Sequence, residues 1–473
     1  MIADLKPYLA MKDSGVPSLG NVPEHWHVRK LRHILRRVTE RNQPDLLLLS
    51  VVREKGVIRR DTTNAEENRN FIPDDLSNYK VVRVGQFAMN KMKAWQGSYG
   101  VSPFDGIVSP AYFVFHVTGV EGLFFHSAIR SRAYVPSFTQ ASDGVRIGQW
   151  DLAEARMREI AFVVPPLAEQ DAIVRFLGHA NRRIERYIRA KKKLIALLNE
   201  QKHAIIHRAV TRGLDPNVRL KPSGIPWLGE IPEHWSEIRL KFLARKITDG
   251  EHISPPLANE GVPLLSAKDI RDRKILYEVD KYVTPELAYK FWQRCRPERG
   301  DFLIVSRGAT IGRVALVESD MPFCLMGSVI LCKSRDDYAA TFLYYALNTH
   351  HAQTSLWFAS ASSAQQAIYI RDVAELRLLI PPFPERENIV RRLEESLVSN
   401  REAIDRSQRE ISFLREYRTR LIVDVVTGKI DVREAAAKLP EEPQGEPVEP
   451  VEEADEEAET SEFDGMADSG TIG

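Results

Sequence analysis

From Leu167 to Arg212 neither a proline nor a turn cluster interrupts the chain, and this run limits the possible folds more than any other stretch. Pro165-Pro166 stops what precedes it, and Glu169 and Asp171 fall in the first turn, where carboxylates favour the positive end of a helix dipole. Arg212-Gly213 suits a helix end. A helix over these 46 residues spans ~69 Å at ~1.5 Å per residue. Its apolar seam runs Val174, Leu177, Ile184, Ile188, Ile195, Leu198, Ile205 and Ala209, spaced like a coiled-coil stripe. Such a seam needs a partner.

The partner lies 216 residues on. Pro381-Pro382 repeats Pro165-Pro166, Glu385 and Glu387 repeat Glu169 and Asp171, and Val426-Thr427 repeats Val210-Thr211. The second seam is Val390, Leu393, Ile404, Ile411, Leu414, Leu421 and Val425. Polar residues interrupt both (Asn181, Lys191 and Lys202; Asn400, Ser407 and Arg418), a pattern that fixes register at some cost in stability. A constant offset over some 50 residues is stronger evidence than helical periodicity alone.

More than the helix is duplicated. Residues 14–26 read SGVPSLGNVPEHW and residues 223–235 read SGIPWLGEIPEHW, with prolines and glycines that force extended and turn geometry. The chain is therefore leader, domain, helix, leader, domain, helix. If the helices pair side by side they run antiparallel, so the expected object is a pseudo-two-fold tandem repeat. Its fold class is α/β (α+β), two globular domains joined by a pair of long antiparallel coiled-coil helices. The boundaries read as domain one over 1–165, helix 166–215, domain two over 216–381, helix 382–430 and an acidic disordered tail over 431–473.

That tail hides the charge of the rest. Residues 441–473 carry 13 acidic residues and no Lys or Arg, so the remainder has 66 basic residues against 52 acidic ones, 65 less the 13. A basic body suits a polyanion partner. Cys295, Cys324 and Cys332 form no CxxC pair, which fits a reducing, cytoplasmic setting. Neither a signal peptide nor an 18-residue apolar run appears.

In domain one, Leu46–Val52, Val81–Met89 and Ile107–Val117 read as strands and Gly122–Tyr134 as a short helix. Between the second and third strands, NKMKAWQGSYG interleaves Lys91 and Lys93 with Trp95 and Tyr99 and adds Asn90, Gln96 and Ser98. Cations meet phosphates, and amides and hydroxyls read base edges. The same loop also reads as a plain strand connection whose aromatics pack inward. Arg53, Lys55, Arg59 and Arg60 form a second basic loop. In domain two, GDFLIVSRGATIGR (300–313) follows the Gly85-Gln86-Phe87 pattern at an offset of 215 and presents Ser306, Arg307, Thr310 and Arg313. Gly308 and Gly312 fit no phosphate-loop signature and read as turn glycines. His252, Lys268, Asp269, Arg271 and Arg273 are further candidates for groove contacts.

Catalytic groups are not evident. Pro381-Pro382-Phe383 has Ile380 before it, where amino-methyl transfer needs Asn or Asp, and its duplicate marks both as helix-start punctuation. His25 and His27 are a poor metal pair because the second copy has His234 and Ser236. Three readings stay open: a DNA-binding protein, a self-contained modification or restriction enzyme, and a coiled-coil scaffold without a DNA role. The first is favoured.

Taken together, IPEHW, PPLAEQDAIV, PPFPERENIV and GDFLIVSRGATIGRV resemble the specificity subunit of type I restriction–modification systems. The resemblance covers nearly everything from residue 14 to about 430 and implies a non-catalytic subunit. Its two target-recognition domains each read half of a bipartite site in double-stranded DNA, and its helices set the spacing and dock partners. The implied partners are two modification (methyltransferase) subunits and ATP-dependent restriction subunits, with AdoMet, ATP and Mg in those partners, no cofactor in this chain and no membrane. The acidic tail is not part of the family pattern, and domain one lacks the GATIGR loop of domain two.

Overall fold

The paired prolines act as breakers. Strands Ala161–Val164 and Arg377–Ile380 stop at them, and helices Leu167–Arg212 and Phe383–Val426 start just beyond. The structure, a computed structural model, describes residues 5–440 except 54, 61–71, 74, 145–149, 224–228, 272–273, 336 and 362–365. Arg273, the centre of the second leader and the acidic stretch 441–473 thus lie outside the described residues. The chain forms two compact units, Met1–Ala190 with Glu410–Gly473, and Lys191–Arg409. Each long helix therefore contributes one half to each unit.

The units repeat one topology. In the first, hairpin Met11–Asp13/Asn21–Pro23 leads to strand His27–Lys30, which pairs antiparallel with Ala161–Val164. A four-stranded antiparallel sheet runs in the order Leu35–Val38, Phe113–Val117, Phe87–Met89, Tyr99–Val101. In the second, hairpin Leu220–Pro222/Glu230–Pro232 leads to Ser236–Arg239, paired with Arg377–Ile380. Its antiparallel sheet runs Ala244–Asp249, Val329–Ser334, Phe302–Val305, Val314–Leu316.

Some expected elements are shorter. Val81–Met89 is two strands, Lys80–Val82 and Phe87–Met89, because a turn closed by Gln86 N donating to Arg83 O interrupts it, with Gly85 at φ +83°. Ile107–Val117 is likewise split into Gly106–Val108 and Phe113–Val117, since Pro110 has no N–H to give to a ladder. Leu46–Val52 begins at Leu49, and the helix expected over Gly122–Tyr134 ends at Ile129.

The repeated leader has a structural purpose. Glu169, in the first turn of the first long helix, is buried and accepts hydrogen bonds from Trp26 Nε1 (2.8 Å) and Tyr8 Oη (3.2 Å). His25 Nε2 lies 2.6 Å away and Arg433 Nη1 3.2 Å. In the second unit Glu385 accepts from Trp235 Nε1 (3.2 Å) and meets His234 Nε2 at 2.6 Å. Each knot also holds the end of the opposite helix. A Cβ on Gly428 would lie 2.2 Å from Pro23 and 3.1 Å from Trp26, and one on Gly213 3.0 Å from Glu385 and 3.4 Å from Trp235. Both glycines sit at φ +73°, in the left-handed region that ends helices. Within each unit the two helices consequently run antiparallel.

Their contact is broader than a two-position seam. Leu177, Ile188, Val390, Leu393, Ile411 and Leu421 are buried, whereas Val174, Ile195, Leu198, Ile205, Ile404 and Leu414 are half-buried. Ile173 and Phe176 join the core of domain one, and Ile206, Ile389 and Leu397 that of domain two, because each helix half packs on a domain as well as on its neighbour. Arg418 pairs with Glu185 in the first unit; in the second, Asn400 Nδ2 donates to Leu198 O at 3.1 Å.

The residues just after the second helix are folded, contrary to the tail expected from residue 431. Helix Arg433–Ala437 follows, with Val432, Ala436 and Leu439 buried and Arg175 Nη2 donating to Leu439 O at 2.6 Å. Val432 and Ala436 share a core with Phe176 and Ala180 of the first helix. The matching positions of the second helix, Arg392 and Ser396, are exposed.

Candidate nucleic-acid interface

The two loops singled out in the sequence are equivalent hairpin turns, one per domain. Each is pinned by the segment ahead of the last short helix: Leu152 N donates to Lys91 O, and Ile368 N to Ser306 O. The two turns present different chemistry.

In domain two the turn exposes Arg307, whose backbone forms an antiparallel bridge with Ala367. Gly308 (φ +100°) and Gly312 (φ +84°) bend it, which accounts for both glycines. Arg307 lines two adjoining clefts. One, about 380 Å³, also has His252, Ser254, Leu257, Lys281 and Gly327 on its walls. The other, about 660 Å³, has His252, Tyr369 and Arg371. His252 Nε2 lies 2.7 Å from Asp249 Oδ2, and Arg294 binds the same carboxylate. A Cβ at position 327 would come within 2.6 Å of His252 Nδ1, so glycine is needed for the ring to lie there. Arg371 sits 5.8 Å from the Tyr369 ring centroid and 3.4 Å from Asp372. A guanidinium thus stands beside two flat rings and a second cation, a composition suited to base edges and phosphates.

The other domain-two candidates divide. Lys268 is exposed and pairs with Asp280 at 3.1 Å; Arg271 Nε donates to Lys268 O. Thr310 is half-buried in the turn. Ser306 is buried beneath the turn, 3.4 Å from Gly327 O, so it supports the turn rather than meeting a ligand. Arg313 Nη1 bonds Ile270 O at 3.4 Å, which draws it towards the domain.

In domain one, Lys93 is exposed, Gln96 is half-buried, and Lys91 is paired with Asp151 at 2.5 Å. Trp95 packs on Trp150, centroids 5.3 Å apart. Two expectations fail. Tyr99 is fully buried, 4.3 Å from Phe138 and 5.9 Å from Phe87, and burial pushes its phenol well above the usual range. Ser98 is buried too, its backbone bonded to Asn90 and Lys93. Both lie where the strand re-enters the sheet, so the inward-packing alternative holds for them. The second basic loop is partly used internally: Arg53 O accepts from Arg130, and Arg59 lies 4.8 Å from the Phe104 ring centroid.

Sequence reasoning missed Tyr369 and Arg371, which lie outside any repeat, and their aromatic–basic spacing was the available signal. Among the described residues no cluster of His, Cys, Asp or Glu could hold a metal ion, and no helix is long and apolar enough to cross a membrane. The three cysteines are buried, and burial raises each thiol; Cys295 and Cys324 are pushed up to about 12.

Residues 232–403 match the family model for the type I restriction modification DNA specificity domain. Along nearly its whole length the chain is similar to a putative type I restriction enzyme MjaX specificity subunit of Methanocaldococcus jannaschii. The two are 22% identical over 454 residues, 88% of this chain and 96% of that one. Its second half thus carries a type I restriction modification DNA specificity domain, and along its length the chain is similar to type I specificity subunits. A second relative, the EcoBI specificity subunit of Escherichia coli, is 23% identical over 254 residues, 52% of this chain and 53% of that one. The fold agrees with a solved structure from work on complex assembly and conformational transition of the type I R-M system. It has a TM-score of 0.61 at 17% identity and covers 86% of this chain and 98% of that one. The family model begins within the second leader, and domain one, outside the match, repeats the sheet order of the matched region.

Proposed function

We propose that this chain reads a bipartite double-stranded DNA site, one half with each domain, and docks modification and restriction subunits along its two long helices. The observation that carries the reading is the duplication itself: two domains of one topology, each presenting the same hairpin turn with different residues. Two half-sites of different sequence follow from that difference. Docking is supported by large apolar side chains left open on the helices. Tyr187, Phe413 and Tyr417 are exposed in the first unit, Leu194, Leu197 and Val398 in the second. Leu197 and Phe413 occupy equivalent positions, which favours two like partners and hence two modification subunits. Ile173, also on the first helix, is not open for docking, because it is buried in the core of domain one.

AdoMet, ATP and Mg belong in this reading to the partner subunits, and the cellular setting is the cytoplasm. Methylation mapping in a host carrying this chain with its modification subunits tests the reading. A bipartite, split motif is expected; an undivided motif, or methyl transfer by the isolated chain, contradicts it.

A further inference from the structure

The loop that joins strand Ala244–Asp249 to strand Val262–Leu265 holds two branched aliphatic side chains in the open, Ile253 at 81% exposure and Leu257 at 55%. Leu257 lines the cleft of about 380 Å³ together with Arg307, His252 and Lys281. An aliphatic side chain, a guanidinium and an ammonium therefore share one concavity, and the turn that carries Arg307 closes two strands of the four-stranded sheet, so the turn is the part offered to the major groove. In that groove guanine offers O6 and N7 to an arginine, and thymine offers its 5-methyl group, an apolar feature that the minor groove does not present.

We propose that domain two reads a guanine through Arg307 and, through Leu257 with Ile253 beside it, the 5-methyl group of a thymine within two base pairs of that guanine. The proposal rests on the reading of domain two as a DNA-recognition domain and names what it recognises. Lys281, on the same cleft, contributes charge towards the phosphates rather than base selection. Ile253 and Leu257 are open in the free subunit and so available to cover the thymine methyl.

The test uses the full chain with its modification subunits. Selection from random duplexes gives the recognised site, and the domain-two half is expected to contain a guanine with a thymine within two base pairs. Deoxyuridine in place of that thymine should weaken binding about fourfold, the factor for one apolar carbon group. 7-Deazaguanine in place of the guanine should weaken it about tenfold or more. Leu257→Ala should abolish the deoxyuridine penalty and keep the deazaguanine one, and Arg307→Ala the reverse. A half-site without that pair of bases overturns the proposal, as does a deoxyuridine penalty that survives Leu257→Ala. If Leu257→Ala instead loosens the modification subunits, the aliphatics form a protein-docking face and the proposal falls. Any of these results with a bipartite site still selected leaves DNA reading intact; selection of no sequence by the wild-type complex removes both.

Discussion

Trp26 Nε1 donates to Glu169 Oε2 at 2.8 Å across 143 residues of chain, and Trp235 Nε1 repeats the bond to Glu385 Oε1 at 3.2 Å across 150. Each bond ties a leader to the first turn of the helix that leaves its domain. The first knot is the more buried, with the Glu169 side chain 8% exposed against 30% for Glu385. Removing a buried carboxylate strands its donors, so Glu169→Ala is expected to cost about 3 kcal/mol. Glu385→Ala should cost about 1 kcal/mol, nearer an ordinary hydrogen bond. Denaturant unfolding followed separately in the two units checks the ranking, and equal losses would contradict it.

His126 predicts an acid-sensitive first domain. Burial foremost, with Arg130 beside it, pushes its imidazole down to about 4, and Val101 N donates to Nδ1, which holds the neutral form. A histidine whose pKa is depressed on folding binds its proton more readily in the unfolded chain. Its contribution is full above about 6.5 and is lost as pH falls towards 4, by up to ~3 kcal/mol. Melting of the wild type from pH 7 to pH 5 should show this loss. His126→Asn, which keeps an acceptor near Nδ1, should flatten the profile, and an unchanged slope would contradict the assignment.

Tyr99 gives the opposite sign. Its hydroxyl is buried with no hydrogen-bond partner among the described residues, so Tyr99→Phe should leave stability unchanged or raise it by about 1 kcal/mol. DNA affinity should not move. A loss of affinity would restore the base-contacting role that the sequence suggested.

The long helices were legible because proline pairs and glycines punctuate them and because every mark recurs at a fixed offset. Local chemistry of that kind survives folding. The knots were not legible: that His25-Trp26 grips Glu169 depends on segments more than 140 residues apart, and the leader alone shows only an apolar anchor. The true width of the helix contact was hidden for a related reason. Ile173, Phe176 and Leu397 look like flank positions until the domain behind them is present. At the candidate interface, residue type identified Arg307, but Ser98, Tyr99 and Ser306 have equally suitable chemistry and face inward. Only pleat and turn geometry separates them.

Spacing between half-sites should follow helix length. Inserting four residues, about one turn, after Ala190 and again after Arg406 should lengthen the gap between half-sites and leave both half-sequences unchanged. Ile195→Asp puts a charge on the half-buried helix contact and should abolish assembly with the modification subunits. Methylation mapping reads the first outcome and co-purification the second. An active complex with unaltered spacing would contradict the helices' role as a ruler.

The central claim is that recognition is modular, one domain to one half-site. Replacing residues 236–380, which run from the strand after the second leader to the strand before the second long helix, with the same span of a relative tests it most directly. In a host that also carries the modification subunits, mapping of methylated sites should show one half of the motif changed and the other half and the spacing retained. A simultaneous change in both halves would mean that the domains read DNA jointly, and the modular account would be wrong.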